Sequence, residues 1–249
     1  MKAIYLSVIV PVYNEAFTIG ETIRKLREFL EAQSYSWELI ICDDGSTDGT
    51  SKMFHEEVKK VEHIRALSLP HRGKGATVRD GVLDSTGKFI FMCDADLSMS
   101  VDQIPIFLQR MDNSDIDIVI GSRQVKGSVR VGEPPLRHFM GRIFNKLVKI
   151  ILVDNYHDSQ CGFKCFSSKS ARHLFPKQRV KGWAFDAEIL FLAGKMGYKT
   201  KEIPIEWYHR SDSKVGVISS SISMLTEILM VRIMSVSYTH LTLPTSDLV

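Results

Sequence analysis

Four aspartates stand directly after apolar runs: Asp43 and Asp44 follow WELIIC, and Asp94 and Asp96 follow KFIFMC. Carboxylates gathered in one place repel each other unless a cation or a hydrogen-bond donor neutralises them. With Ala95 between them, Asp94 and Asp96 offer two hard oxygen ligands two residues apart. Such a pair suits Mg²⁺ or Mn²⁺, ions that also accept water and phosphate oxygens. The same spacing occurs in solvated turns, so its weight comes from Asp43 and Asp44 at the same expected edge. Basic groups lie in nearby loops: Arg72, Lys74, Arg123 and Arg130. Guanidinium groups bind diphosphate in bidentate fashion. A metal between carboxylates and arginines would stabilise a departing diphosphate.

Two nucleotide chemistries are disfavoured. Gly73-Lys74-Gly75 is not part of a G-x-x-x-x-G-K-[ST] loop, and no G-x-G-x-x-G follows the first strand. The ATPase and dinucleotide dehydrogenase readings therefore lose their main support.

The elements that must position these residues can be read from periodicity. Residues 4–12 form a near-continuous apolar run, as expected of a strand covered on both faces. Ile19, Ile23, Leu26 and Leu30 then recur at helical spacing within 18–34, with Thr18 as the expected cap. Further strands are expected at 37–42, 64–69, 88–93 and 116–120, with helices after residue 50 and over 76–84 and 103–111. From 122 the pattern loosens around Gly127, Gly132 and Pro134-Pro135. A helix is expected over 136–152, then a segment 158–166, a helix within 182–196, one strand over 198–207 and a helix over 216–234. The alternation predicts a single α/β domain over 1–234, whose ligands sit beyond the carboxyl ends of the strands.

The chain has 249 residues, a net charge of +3, 44% hydrophobic and 24% charged residues, which excludes disordered, collagen-like and disulfide-scaffold classes. The near-neutral sum conceals a partition. Residues 1–121 carry 13 basic and 19 acidic groups, and residues 122–181 carry 13 and 3. A basic block after the acidic strand ends suits a phosphate-rich membrane surface. Nucleic acid is not expected as a partner, since no aromatic-basic recognition motif accompanies the charge. The four cysteines read as buried thiols, which places the chain in a reducing compartment. Pro11, Asn14 and Glu15 interrupt the N-terminal apolar run too early for a signal peptide, and no uncharged apolar run reaches 18 residues.

Taken in order, VIVPVYNE (8–15), DDGSTDGT (43–50), DADLS (94–98) and GSR (121–123) resemble family 2 glycosyltransferases of the GT-A fold. That fold is Rossmann-like, with an open mixed sheet in one domain. DSQCGFKCF (158–166), WAFDAE (183–188), EIPIEW (202–207) and SKV (213–215) resemble the dolichyl-phosphate glucosyltransferase and mannosyltransferase branches, the glucosyl branch more closely. The resemblance implies an inverting hexosyltransferase, glucose favoured over mannose, moving the sugar from UDP-glucose or GDP-mannose to a polyprenyl or dolichyl phosphate. Pro11, Tyr13 and Glu15 would line the nucleotide site, with Asp43 on the base, Asp44 beside base and ribose, and Lys74 and Ala95 also at the donor. Asp94 and Asp96 would hold Mg²⁺ or Mn²⁺, Asp96 most directly, while Ser98 stands where mannosyl-type relatives have Gln. Arg123 would meet the sugar or acceptor phosphate. Arg130, Arg137, Arg210, Ser213 and Lys214 would bind the lipid phosphate, and Asp158, Gln160 and Asp186 would lie near the reacting centre.

An acceptor phosphate is already anionic at neutral pH and needs no strong base. A glycan or other hydroxyl acceptor would need one, with Asp158 or Asp186 as candidates, and remains the alternative. Asp186 could instead cap the helix that follows it, and Trp183 and Phe185 could stack on sugar or fill the core. A non-catalytic nucleotide-sugar binder is disfavoured by the intact Asp94 and Asp96. The expected location is the cytoplasm or, peripherally, the cytoplasmic face of a membrane, with room for a membrane partner protein. Residues 235–249 read as a non-native or unstructured tail, beyond which a membrane segment could once have followed.

Overall fold

A computed structural model describes residues 3–59, 61–152, 156–210 and 217–239. The first half follows the expected alternation: β1 (Leu6–Val12), α1 (Ile19–Glu31), β2 (Trp37–Asp43), α2 (Thr50–Val58), β3 (Ile64–Ser68), α3 (Lys74–Asp84), β4 (Phe89–Met92), α4 (Ile104–Asp112) and β5 (Ile118–Ser122). The second half adds β6 (Val129–Val131), α5 (Pro135–Ile151), β7 (Lys164–Ser167), α6 (Ser168–Leu174), α7 (Phe185–Lys195), β8 (Thr200–Pro204), β9 (Glu206–Tyr208) and α8 (Val217–Thr239). Seven strands form one sheet in the order β3-β2-β1-β4-β7-β5-β8, and β6 pairs with β9 beside it.

Burial on both faces explains the unbroken apolar runs. Leu6, Val8, Val10 and Val12 of β1 face one core with Ile23 and Leu26 of α1 and Phe107 of α4. Ile9 faces the other core with Val78 and Val82 of α3, Phe185 of α7 and Val231 of α8. The one strand of the large sheet that runs antiparallel to its neighbours is β7, between β4 and β5. Its first residue, Lys164, lies opposite Met92 and Ile120, so the strand begins at the edge where β4 and β5 end.

Local expectations are corrected at four places. Thr18 makes no side-chain cap; its hydroxyl donates to Glu15 Oε2 at 2.7 Å. The helix expected at 76 begins at Lys74, because the 73–75 loop is already turned against Lys181 and Gly182. The single strand expected over 198–207 is two, joined at Ile205 and assigned to different sheets, after Pro204, which has no N–H to donate. Helix α8 runs to Thr239, five residues past the expected boundary at 234, since no glycine or proline occurs in that stretch. Residues 240–249 lie outside the described residues, as do Ser213 and Lys214.

Candidate active site

The carboxyl ends of β1, β2 and β4 bring Pro11, Tyr13, Asp43, Asp44, Asp94 and Asp96 to one edge. Asp43 is buried and accepts from the backbone N–H of Ser46 at 3.0 Å, which closes the turn after β2. Asp44 is also buried, and its carboxylate accepts from the N–H groups of Arg72 at 2.8 Å and Gly73 at 3.0 Å. It also lies 2.9 Å from His71 Nδ1. Asp44 thus fixes the loop that leads into α3. Tyr13 stacks on the His71 ring with centroids 4.2 Å apart, leaving the phenol partly exposed at the cleft. Glu15 receives the Thr18 hydroxyl, and its own N–H donates to Thr50 Oγ1 at 2.8 Å, tying β1 to the start of α2.

Asp94 and Asp96 occupy a tight turn closed by a Leu97 N–H to Asp94 carbonyl bond of 3.2 Å. Leu97 has φ of 45°, a left-handed conformation uncommon for a non-glycine residue. Thr22 of α1 donates its hydroxyl to the Ala95 carbonyl, which anchors the turn to the helix above it. Lys74 Nζ lies 2.6 Å from Asp94 Oδ1 and 4.9 Å from the centre of the Trp183 ring. Burial opposes the charge on Asp94, yet Lys74 outweighs it and lowers the carboxyl below its ordinary value. Asp96 moves the other way: burial and then the neighbouring Asp94 raise it, although Ser98 N–H donates to its Oδ1 at 2.9 Å. Its raised pKa means that the available donors do not fully offset the negative charge.

That imbalance is what a divalent cation would correct. Among the described residues no third Asp, Glu, His or Cys completes a cluster. An ion held by Asp94 and Asp96 would therefore draw its remaining ligands from water and donor phosphates, in keeping with the habits of Mg²⁺ and Mn²⁺. The backbone beneath is fitted to this pair: a Cβ on Gly162 would overlap the Asp94 carboxylate.

Across the edge, Arg123 and Asp158 form a bidentate pair. Arg123 Nε donates to Asp158 Oδ2 at 2.7 Å, the second guanidinium nitrogen donates to Oδ1 at 2.8 Å, and the Arg123 backbone N–H adds a 3.0 Å bond. Asp158 is fully buried, and its desolvation is outweighed by Arg123, which holds its carboxyl below the ordinary range. Arg130 donates to the Arg123 carbonyl at 3.0 Å and to Glu133 Oε2 at 2.7 Å, so it braces Arg123. Arg137 lies on α5. Arg210 is exposed, and its charge reaches Glu21, whose carboxyl is lowered by Lys25 first and by Arg210 more weakly.

Asp186, in the first turn of α7, does not cap that helix. Its carboxylate pairs with Lys164, which also donates to the Cys161 carbonyl. Burial raises the Asp186 carboxyl in spite of Lys164 and Lys74. Lys164 is the site residue that motif reading missed. Its only signal was a lysine within the apolar run GFKCF, and it is just 1% exposed. Among the described residues the buried amide nitrogen of Gln160 has no partner, which leaves a donor for a ligand oxygen. Of the two aromatic residues left open, Phe185 fills the core and Trp183 is partly exposed beside Lys74. The four cysteines are buried and free, with Cys161 pushed up to about 12 by burial and Asp158.

The fold is similar to that of glucosyl-3-phosphoglycerate synthase from Mycobacterium tuberculosis solved with Mn²⁺, UDP-glucose and phosphoglyceric acid. The two share a TM-score of 0.68 and 16% identity over 92% of this chain and 79% of that one. Closer in sequence is a dolichyl-phosphate beta-glucosyltransferase of Dictyostelium discoideum, 36% identical over 92% of this chain and 74% of the relative. A dolichyl-phosphate beta-glucosyltransferase of Saccharomyces cerevisiae is 33% identical over 93% and 75%. Residues 7–175 match glycosyl transferase family 2. The match over most of the chain and the identity to these relatives place the chain in glycosyl transferase family 2.

Proposed function

We infer that the protein transfers glucose from UDP-glucose to dolichyl phosphate or a closely related polyprenyl phosphate, with inversion at the anomeric carbon. The relatives in sequence are named dolichyl-phosphate beta-glucosyltransferases, and one observation within the site favours a phosphate acceptor over a hydroxyl. Both carboxylates considered as a general base are already engaged: Asp158 by three N–H donors of Arg123, Asp186 by Lys164. Asp158, held in its anionic form by a guanidinium, is a poor proton acceptor, and Asp186, though raised by burial, has its carboxylate occupied by Lys164. A phosphate acceptor needs none, because its oxygen is already charged at neutral pH.

Tyr13 would pack against the base, with Pro11 and Glu15 beside it and Asp43 hydrogen-bonded to it. A Mg²⁺ or Mn²⁺ ion held by Asp94 and Asp96 would neutralise charge on the departing nucleoside diphosphate. Lys74, now on Asp94, stands ready to meet the same phosphates. The acceptor phosphate oxygen would form its bond to the anomeric carbon as the bond to the diphosphate breaks, and no proton need move. Arg123, fixed by Asp158 and braced by Arg130, would offer its remaining face to the acceptor phosphate or sugar, and Gln160 would donate to a sugar hydroxyl. Arg137, Arg210, Ser213 and Lys214 would supply further charge and donors to the lipid phosphate. No helix among the described residues is long and apolar enough to cross a membrane. The reaction would take place at the cytoplasmic face of a membrane.

A panel of radiolabelled UDP-glucose and GDP-mannose, each with dolichyl or undecaprenyl phosphate and Mn²⁺ or Mg²⁺, tests this directly. Label is expected in lipid with UDP-glucose; failure of every combination would overturn the reading. Label in a glycan alone would restore the hydroxyl acceptor.

A further inference from the structure

The segment 202–207 reaches both members of the Arg123–Asp158 pair. Glu202 lies in β8, opposite Ile120 of β5. Its side chain is only 10% exposed, and its carboxylate accepts from two consecutive amides, His157 N–H at 2.8 Å and Asp158 N–H at 2.9 Å. His157 Nδ1 lies 2.9 Å from the same carboxylate. Residues 156–163 belong to no helix or strand. The carboxylate on β8 therefore fixes the backbone that carries Asp158.

Trp207, in β9, holds the other member. The Arg123 guanidinium carbon is 5.7 Å from the centre of the Trp207 ring, within the range of a cation–π contact. The ring is itself fixed from both sides. Glu206 exchanges two hydrogen bonds with the Gln103 side chain, at 2.9 and 3.0 Å, and Tyr208 N–H donates to the Ser98 carbonyl at 2.7 Å. Ser98 N–H in turn donates to Asp96, so β9 ties the platform under Arg123 to the turn that carries Asp94 and Asp96. Between Glu202 and Trp207, Ile205 N–H donates to the carbonyl of Ser122, the chain neighbour of Arg123, at 3.3 Å.

We propose that Glu202 and Trp207 are positioning residues that aim the Arg123 guanidinium at the acceptor, Glu202 acting through Asp158 and Trp207 through its ring. Arg123 spends Nε and Nη2 on Asp158 and leaves Nη1 outside that pair. With one edge held by a carboxylate and one face by an indole, the direction of Nη1 is set before any ligand arrives. A free arginine would lose side-chain entropy on capturing an anion, and a side chain fixed beforehand avoids most of that loss. The link from β9 to Ser98 also sets the spacing between Arg123 and the Asp94–Asp96 turn, which an in-line transfer between two bound partners requires. The orientation of Arg123 stands on these contacts; its use toward the acceptor rests on the transfer reading.

Two readouts on the full chain test it. The first is the rate at which phenylglyoxal modifies individual arginines, read by mass spectrometry of the digested protein. E202L and W207L should speed modification of Arg123 about fivefold, the scale of one cation–π contact, while the exposed Arg24 reacts at the wild-type rate. W207F keeps a ring and should restore protection; E202Q keeps one acceptor oxygen and should fall between. The second readout is transfer from UDP-glucose to dolichyl phosphate, where E202L and W207L should raise the acceptor KM about fivefold at unchanged donor KM. Circular dichroism melts would confirm folding, and should E202L fail to fold, E202Q and the W207F and W207L pair carry the comparison. Unchanged modification of Arg123 would overturn the proposal whatever the transfer assay reads. Faster modification of Arg24 as well, or an equal rise in both KM values, would reduce the two residues to general stability and also overturn it. Absence of lipid label with wild-type protein would instead sink the transfer reading, and the acceptor role with it, while the phenylglyoxal rates would still decide the positioning of Arg123.

Discussion

The carboxylate edge after β2 and β4, proposed as the donor side, and the β5–β7 side, proposed to meet the acceptor, neutralise their charges in different ways. On the proposed donor side Asp43 and Asp44 accept from backbone N–H groups, while Asp94 is paired with Lys74. Asp43 accepts from Ser46 three residues on, and Asp44 from Arg72 and Gly73 in the next loop over. On the proposed acceptor side, side-chain charges are held by each other, Arg123 with Asp158 and Lys164 with Asp186. Backbone amides are fixed partial charges that no side-chain substitution removes. Ion pairs fail as a unit when one partner is lost. The donor side should therefore lose activity without losing fold, and the acceptor side should lose both.

The sharpest test of that contrast is Asp96→Ala. Asp96 has an unfavourable electrostatic setting, so the melting temperature should hold or rise. Removal of charge stabilisation at the leaving group should lower kcat by about 10³-fold, or roughly 4 kcal/mol. Near-normal turnover in the radiolabel assay would remove the metal assignment. Next comes Asp158→Ala, which leaves the Arg123 guanidinium unpaired beside a buried void. A loss of about 3 kcal/mol is expected in urea unfolding; a loss below about 1 would mean that Arg123 reaches solvent freely. Gly162→Ala sits between the two regions, since its Cβ would displace the Asp94 carboxylate from the acceptor-side loop. It should cost about 10- to 100-fold in turnover with a smaller effect on stability.

Acid should separate the regions as well. The Asp158 carboxyl is opposed by burial but lowered overall by Arg123, so the unfolded chain takes up its proton first as pH falls. The stability it contributes is present above about pH 4 and is lost as pH drops through its folded pKa. Denaturant midpoints measured between pH 6 and 3 should fall steeply in wild type and less steeply in Asp158→Asn. The smallest effect is expected at Tyr13→Leu, where loss of an aromatic stack should raise the donor KM about fivefold, or roughly 1 kcal/mol. No change there would take the base off this ring.

The same contrast explains what could be read from the amino-acid order. Asp43, Asp44, Asp94 and Asp96 were legible because each directly ends an apolar run, and strand ends in a parallel sheet share an edge. Arg123 and Asp158 were both visible as candidates, but their pairing across 35 residues has no local signature. Strand β7 was missed as a strand because Lys164 interrupts its apolar pattern, and what makes a buried lysine tolerable there is Asp186 on a distant helix. The extension of α8 to Thr239 escaped notice because SVSYT has no stop signal but also no apolar periodicity. The antiparallel insertion of β7 needs tertiary context altogether.

That reversed strand has a consequence for how such an enzyme could diversify. The chain leaves the sheet at Ser122 and returns at Lys164 on the same edge. Everything between, including β6, α5 and the loop bearing Asp158 and Gln160, is one excursion whose two ends are clamped side by side by β5 and β7. Its length and content can drift while the register of the other strands stays put. On the proposed reading, recognition of what receives the sugar can be rewritten like an interchangeable cassette, while the residues proposed to hold the nucleotide stay in place.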